Sequence, residues 1–138
     1  MTEAKDYLTK IKAKIVMSPI IASMTIVTEY ALADRGYFRA RLTLINGDFL
    51  EVSEFFTGEA EAWATKEYRY QWMNASQQRL IKRWDNAEHF ADLPNFPHHI
   101  HVDSETHVIP GKALSIIELL DGLELELSAD RGIGGSVQ

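Results

Sequence analysis

The sequence predicts an α+β domain: a mainly antiparallel five-stranded sheet with an N-terminal and a C-terminal helix. Three observations carry this. Residues 37–45 alternate, with Phe38, Ala40, Leu42 and Leu44 apolar and Arg39, Arg41 and Thr43 polar, which is the period of a half-buried strand. Asn46-Gly47 follows at once, and both residues tolerate the positive φ of a tight hairpin. At the two ends of the chain, apolar residues recur instead at three- and four-residue spacing, the period of an amphipathic helix.

The first helix is expected over residues 2–17, where Ala4, Tyr7, Leu8, Ile11 and Ile15 share a face. Ser18-Pro19 ends it, because the residue before proline is pushed out of the helical region. Residues 20–32 read as a long strand, with a turn at Asp34-Arg35-Gly36. The clean strand at 37–45 comes next, and residues 48–56 return from the hairpin as the third. Residues 57–65 read as a connection containing Gly58. A fourth strand is expected at 66–73, with Tyr68, Tyr70 and Trp72 on one side and Arg69 and Gln71 on the other. A fifth is expected at 79–85. Residues 98–102 read as a short extended segment.

The last helix is expected from about Lys112, since Ala113, Ile116, Ile117, Leu120 and Leu123 keep helical spacing. Asp121-Gly122 is a competing hairpin signal, but leucine at helical intervals favours the helix. With 138 residues the chain fits one domain, placed at 1–127. Gly132, Gly134 and Gly135 mark 128–138 as a flexible C-terminal tail.

There is no cysteine, which excludes a disulfide scaffold, a thiolate metal site and a cysteine nucleophile. The apolar run at 15–27 is interrupted by Ser18 and Pro19 and is too short to span a bilayer. A cytoplasmic protein without membrane contact is therefore expected. The net charge of -6 does not favour nucleic acid through the overall field. Yet Lys66, Arg69, Arg79, Lys82 and Arg83 stand against Glu67 alone between residues 65 and 84, so a local basic stripe is available.

The chemistry concentrates in residues 84–102, which hold His89, His98, His99 and His101 together with Asp85, Asn86 and Asp92. Three readings compete. In the first, His99, His101 and Asp103 point to one side of an extended segment and bind a metal ion, with His89 as a further ligand. The second needs no metal or other cofactor. Histidines exchange protons near neutrality, and two imidazoles with a guanidinium from Arg69 or Arg83 suffice to cleave RNA. Tyr68 or Tyr70 could then stack on a base, and Lys82 and His98 could contact the substrate. In the third, the histidines and prolines only pin a loop, and the protein is a non-catalytic module that binds nucleic acid or protein. The residues placed at a catalytic site are His89, His99, His101, Arg69, Arg83 and Asp85, and His89, at least one of His98, His99 and His101, and Asp85 or Arg83 are expected to line one concave surface at the sheet edge. His98, on the opposite side of the segment, is expected to be the structural histidine.

The motifs Y-R-Y-Q-W at 68–72, L-I-K-R-W-D-N-A at 80–87, His89 and N-F-P-H-H-I-H-V at 95–102 resemble the TumE family. These are small prokaryotic toxin components of toxin-antitoxin pairs. The resemblance covers roughly residues 37–120. The chain departs from the family pattern at Glu88, where relatives often carry proline, and at Phe90, where they often carry histidine. The resemblance implies a cognate antitoxin protein as partner. It also implies RNA as a target, since toxins of this kind are most often ribonucleases, and with the second reading of the histidines this makes a metal-independent endoribonuclease. A homo-oligomer is compatible with the sequence.

Overall fold

The computed structural model describes residues 3–137, with side chains described through Ser128. Helix α1 spans Ala4–Met17. Its first turn is closed by Asp6, whose carboxylate accepts the Glu3 N–H at 3.1 Å. Seven strands follow: β1 (Ile21–Ala31), β2 (Arg35–Leu44), β3 (Phe49–Glu59), β4 (Ala62–Met73), β5 (Leu80–Asp85), β6 (His99–Val102) and β7 (Val108–Pro110). They form one sheet in chain order, and every neighbouring pair is antiparallel.

The sheet therefore has seven strands rather than the expected five. The segment at 98–102 pairs with β5 as β6, and β7 adds three residues beyond it. A three-residue strand ending in proline is too short to show a period, so β7 left no pattern to read. The expected connection at 57–65 is also strand for most of its length. β3 and β4 run on to a two-residue turn at Ala60 and Glu61, with Ala60 at a φ of 49°. Neither turn residue is Gly, Asn or Asp, so the usual hairpin mark was missing.

Helix α2 spans Ile116–Val137 and begins later than expected. Ser115 and Glu118 set its start. The Ser115 hydroxyl accepts the Glu118 N–H at 3.2 Å, and the Glu118 carboxylate accepts the Ser115 N–H at 3.0 Å. Both helices lie on one face of the sheet. Leu8, Ile11 and Ile15 of α1 and Ile116, Leu119, Leu120 and Leu123 of α2 bury against Phe38, Leu42, Leu50, Val52, Phe56 and Tyr70. Each such side chain contributes about 1.5–3 kcal/mol by leaving water. The tail expected over 128–138 falls almost wholly on residues 129–138, whose side chains lie outside the described residues.

One carboxylate is sealed into this core. Glu54 accepts the Tyr7 and Thr65 hydroxyls, both at 2.7 Å, and the Ile116 N–H at 2.9 Å. It thereby ties the sheet to α1 and to the first residue of α2. Burial raises its pKa above the ordinary glutamate value, and the three hydrogen bonds oppose that rise. No helix among the described residues is long and apolar enough to cross a membrane.

Candidate functional site

The strand register decides which side chains meet on the face away from the helices. Tyr70 pairs with Trp84, and Trp84 with Ile100. These point toward the helices, so their neighbours point away from them. On that open face Ser53 lies across from Arg69, Arg69 from Asp85, and Asp85 from His99. In the next row Gln71 faces Arg83, and Arg83 faces His101.

Asn86 stops β5 and starts the loop over this face. Its side chain accepts the Tyr68 N–H at 3.1 Å and donates to the Lys66 carbonyl at 2.8 Å, replacing a further ladder step. The loop returns through Pro97, after a cis Phe96–Pro97 peptide bond. A cleft of about 890 Å³ remains between sheet and loop. Arg69, Arg83, Asp85, His89, His99 and His101 all line it, with Lys66, Tyr37, Phe55 and Phe90.

At the closed end sit Asp85, His99 and His101, with relative exposures of 6%, 2% and 4%. His99 Nδ1 donates to the Pro97 carbonyl at 2.9 Å, and His101 Nδ1 donates to the Glu105 carbonyl at 3.0 Å. A carbonyl can only accept, so each Nδ1 carries the hydrogen and each Nε2 is left for the site. His99 Nε2 lies 3.0 Å from Asp85 Oδ1 but is off the hydrogen-bond line, so it has no partner, whereas Oδ1 accepts the Ala87 N–H at 3.0 Å. His101 Nε2 lies 3.8 Å from Asp85 Oδ2 and 3.2 Å from Arg83 Nη2. The His101 pKa is held below the ordinary histidine value by burial first, with the Arg83 charge acting in the same direction. Phe90 closes the space above, its ring edge-on to His99 at 4.9 Å and to His101 at 5.8 Å.

Arg83 is held by two carboxylates and by the Gln71 side-chain oxygen at 3.3 Å. Both its terminal nitrogens bond the Glu105 carboxylate at 2.6 Å, and Nε donates to Asp85 at 3.3 Å. This pair pulls the Glu105 pKa down and the Arg83 pKa up. Glu105 and Phe90 are not among the residues expected at the site, and Asn86 is named in the segment without a role. The Asn86 capping role had a signal, since Asn after a strand satisfies backbone groups readily. Glu105 had none, because its position depends on the turn after β6.

The other expected residues, Tyr68 at the cleft edge apart, lie elsewhere. Tyr70 is fully buried under the helices, with its hydroxyl on the Leu114 carbonyl at 2.7 Å. Lys82 also points to the helix side, pairing with Glu126 at 3.1 Å. The Tyr68 ring lies on that side too, stacked on His98 at 5.9 Å, with its hydroxyl 2.9 Å from His98 Nδ1. Tyr70, Lys82 and His98 do not line the cleft, whereas Tyr68 lines it at its edge although its ring stacks on His98. Asp103 is not the carboxylate beside the histidines. It has a φ of 65°, which turns it out of the strand, and it pairs with Arg79 at 3.6 Å.

An antiparallel meander backed by two helices, with its polar cleft on the bare face, describes a class of small α+β proteins that present one surface for recognition or catalysis. Within that class the chain belongs to a family described as Toxin TumE, which matches residues 10–127. Membership supports a toxin role. No curated protein and no solved structure matches the chain.

Proposed function

We propose that this toxin is an endoribonuclease whose substrate lies in the cleft on the open sheet face. One observation carries the reading. The cleft joins cationic side chains, Lys66 and Arg69, to imidazoles and to aromatic rings at Tyr37, Phe55 and Phe90. Cations hold phosphates, and rings stack on bases, which is the combination that single-stranded RNA requires. Toxin-family membership points the same way.

Within this reading Arg69 contacts the scissile phosphate, because Arg83 is already held by Glu105 and Asp85. His89 is the exposed imidazole and serves proton transfer. His99 holds the buried end in place, since its Nδ1 is occupied and its Nε2 faces Asp85. The partner that restrains the activity is a cognate antitoxin protein, and the working compartment is the cytoplasm.

Labelled RNA incubated with purified protein is cleaved, and expression arrests growth. His89→Ala lowers the cleavage rate about a hundredfold or more while the circular dichroism spectrum is unchanged. Arg69→Ala weakens RNA binding and flattens its salt dependence. RNA that is bound and never cleaved makes the protein a binding module instead. Cleavage unaltered in the His89→Ala/Arg69→Ala double variant places the chemistry outside this cleft.

A further inference from the structure

We infer that Asp85, His99 and His101 form a binding site for one divalent first-row transition metal ion. One donor atom from each of the three lies within 4.8 Å of the others, and all three residues are buried. Metal bonds of about 2.0–2.2 Å set two donors on one ion roughly 3–3.5 Å apart. The Asp85–His99 and Asp85–His101 separations of 3.0 and 3.8 Å straddle that range.

The hydrogen-bond pattern is the second observation. Both imidazoles give their Nδ1 hydrogen to a backbone carbonyl, Pro97 for His99 and Glu105 for His101. That fixes ring orientation and leaves Nε2 as the lone pair, as metal-binding histidines commonly have it. His99 Nε2 is buried, finds no hydrogen bond, and faces a carboxylate oxygen. Two acceptors at that distance repel unless a metal ion or a proton lies between them, and the off-line geometry of Nε2 disfavours a shared proton. A buried acceptor without a partner is destabilising, and an ion would supply the partner.

Two imidazoles and one carboxylate favour zinc, manganese, iron or nickel over magnesium and calcium, which prefer all-oxygen sites. Three protein donors also leave positions open toward the cleft, where a phosphate oxygen or water can bind. Arg83 is the competitor. Its Nη2 sits 3.2 Å from His101 Nε2, so the guanidinium must swing toward Glu105 for the ion to enter. This departs from the metal-independent reading of the sequence, and from its metal reading in taking Asp85 instead of Asp103 as the carboxylate. The three side chains define the site whether or not RNA is the substrate.

Calorimetry on the tag-free full-length protein, stripped with chelator, reads the ion without any activity. Zinc chloride is expected to bind at one ion per chain, with affinity about tenfold or more lower in His101→Ala. Arg83→Ala is expected to tighten binding, because a competing cation is gone. Should the buried variants fail to fold, nickel titrated into the unaltered chain gives a second measurement. It should broaden the His99 and His101 ring signals in nuclear magnetic resonance before those of His89, His98 and His107. Absent zinc binding, zinc binding unchanged in a folded His101→Ala, or broadening that begins at the other histidines each overturns the site.

Discussion

Removing the Asp85 carboxylate tests both the register and the ion. In Asp85→Ala the Ala87 N–H and Arg83 Nε lose their acceptor, at 3.0 and 3.3 Å. Hydrogen bonds to a charged group contribute about 1.5–3 kcal/mol each. The Ala87 backbone is exposed and regains water, and Arg83 keeps its two bonds to Glu105. The unfavourable approach to His99 Nε2 is also relieved. The net loss in chelator is therefore about 2 kcal/mol, or roughly 6–10 °C in midpoint for a domain of this size. Zinc at a hundred times its dissociation constant adds about 2.7 kcal/mol to the wild type only. The gap then widens to about 4–5 kcal/mol. Urea unfolding followed by tryptophan fluorescence, with and without zinc, measures both. A gap that is the same in zinc and in chelator refutes the carboxylate as a ligand. A loss below about 0.5 kcal/mol in chelator refutes its role as the anchor of Arg83.

Other outcomes follow from the fold. Glu54→Ala should cost about 3 kcal/mol or more in urea unfolding, because Tyr7, Thr65 and the Ile116 N–H lose one charged acceptor. The raised Glu54 pKa means that the native state takes up this proton before the unfolded chain does. Its stabilising contribution is full at low pH and declines as pH rises through the native value, so the wild type should gain on Glu54→Gln as pH falls from neutrality. An advantage that shrinks on acidification would reverse that sign. Tyr70→Phe should lose about 1 kcal/mol by orphaning the Leu114 carbonyl and leave RNA cleavage unchanged, since Tyr70 is buried on the far face. Lys82→Ala should leave RNA affinity unchanged at every salt concentration, because its ammonium pairs with Glu126 on the helix side. Gly36→Ala should destabilise by about 1–3 kcal/mol, because a Cβ there would land on the Phe56 ring. A wild-type midpoint for that variant would show that the ring has room to move.

The fold was legible where one residue type repeats at one period. The alternation at 37–45 placed β2, and its burial follows the sequence residue by residue. The helical spacing at 116–127 outweighed the Asp121-Gly122 hairpin signal, and α2 runs straight through that pair. The Ser115–Glu118 cap was present in the sequence and would have moved the predicted start from Lys112. β1 was less legible. The alternating Ile20, Ala22, Met24, Ile26, Tyr30 and Leu32 read as one face, yet Ile26, Tyr30 and Leu32 are exposed, because an edge strand has a neighbour on one side only and the helices reach little of it.

The site was legible as a set of residues and illegible as an arrangement, and the carboxylate shows why. Spacing along the histidine segment can rank only residues within that segment, so it pairs His99 and His101 with Asp103. Strand alternation does put His99 and His101 on one face, both buried. The same rule fails two residues later, because Asp103 leaves the strand at positive φ. The carboxylate that meets the imidazoles comes from the adjacent strand, where Asp85 is paired with His99. That pairing is set by the length of the loop at 86–98, and nothing in the local period of either strand encodes it. The same register sends Lys82 and Tyr70 to the helix side and Arg83 and Arg69 to the cleft. A sequence reader who knew only that β5 and β6 pair antiparallel with Asp85 opposite His99 would have recovered both facts. A one-residue slip in that register would exchange Arg83 and Asp85 for Lys82 and Trp84 on the open face, and the cleft would lose its carboxylate and its inner guanidinium together.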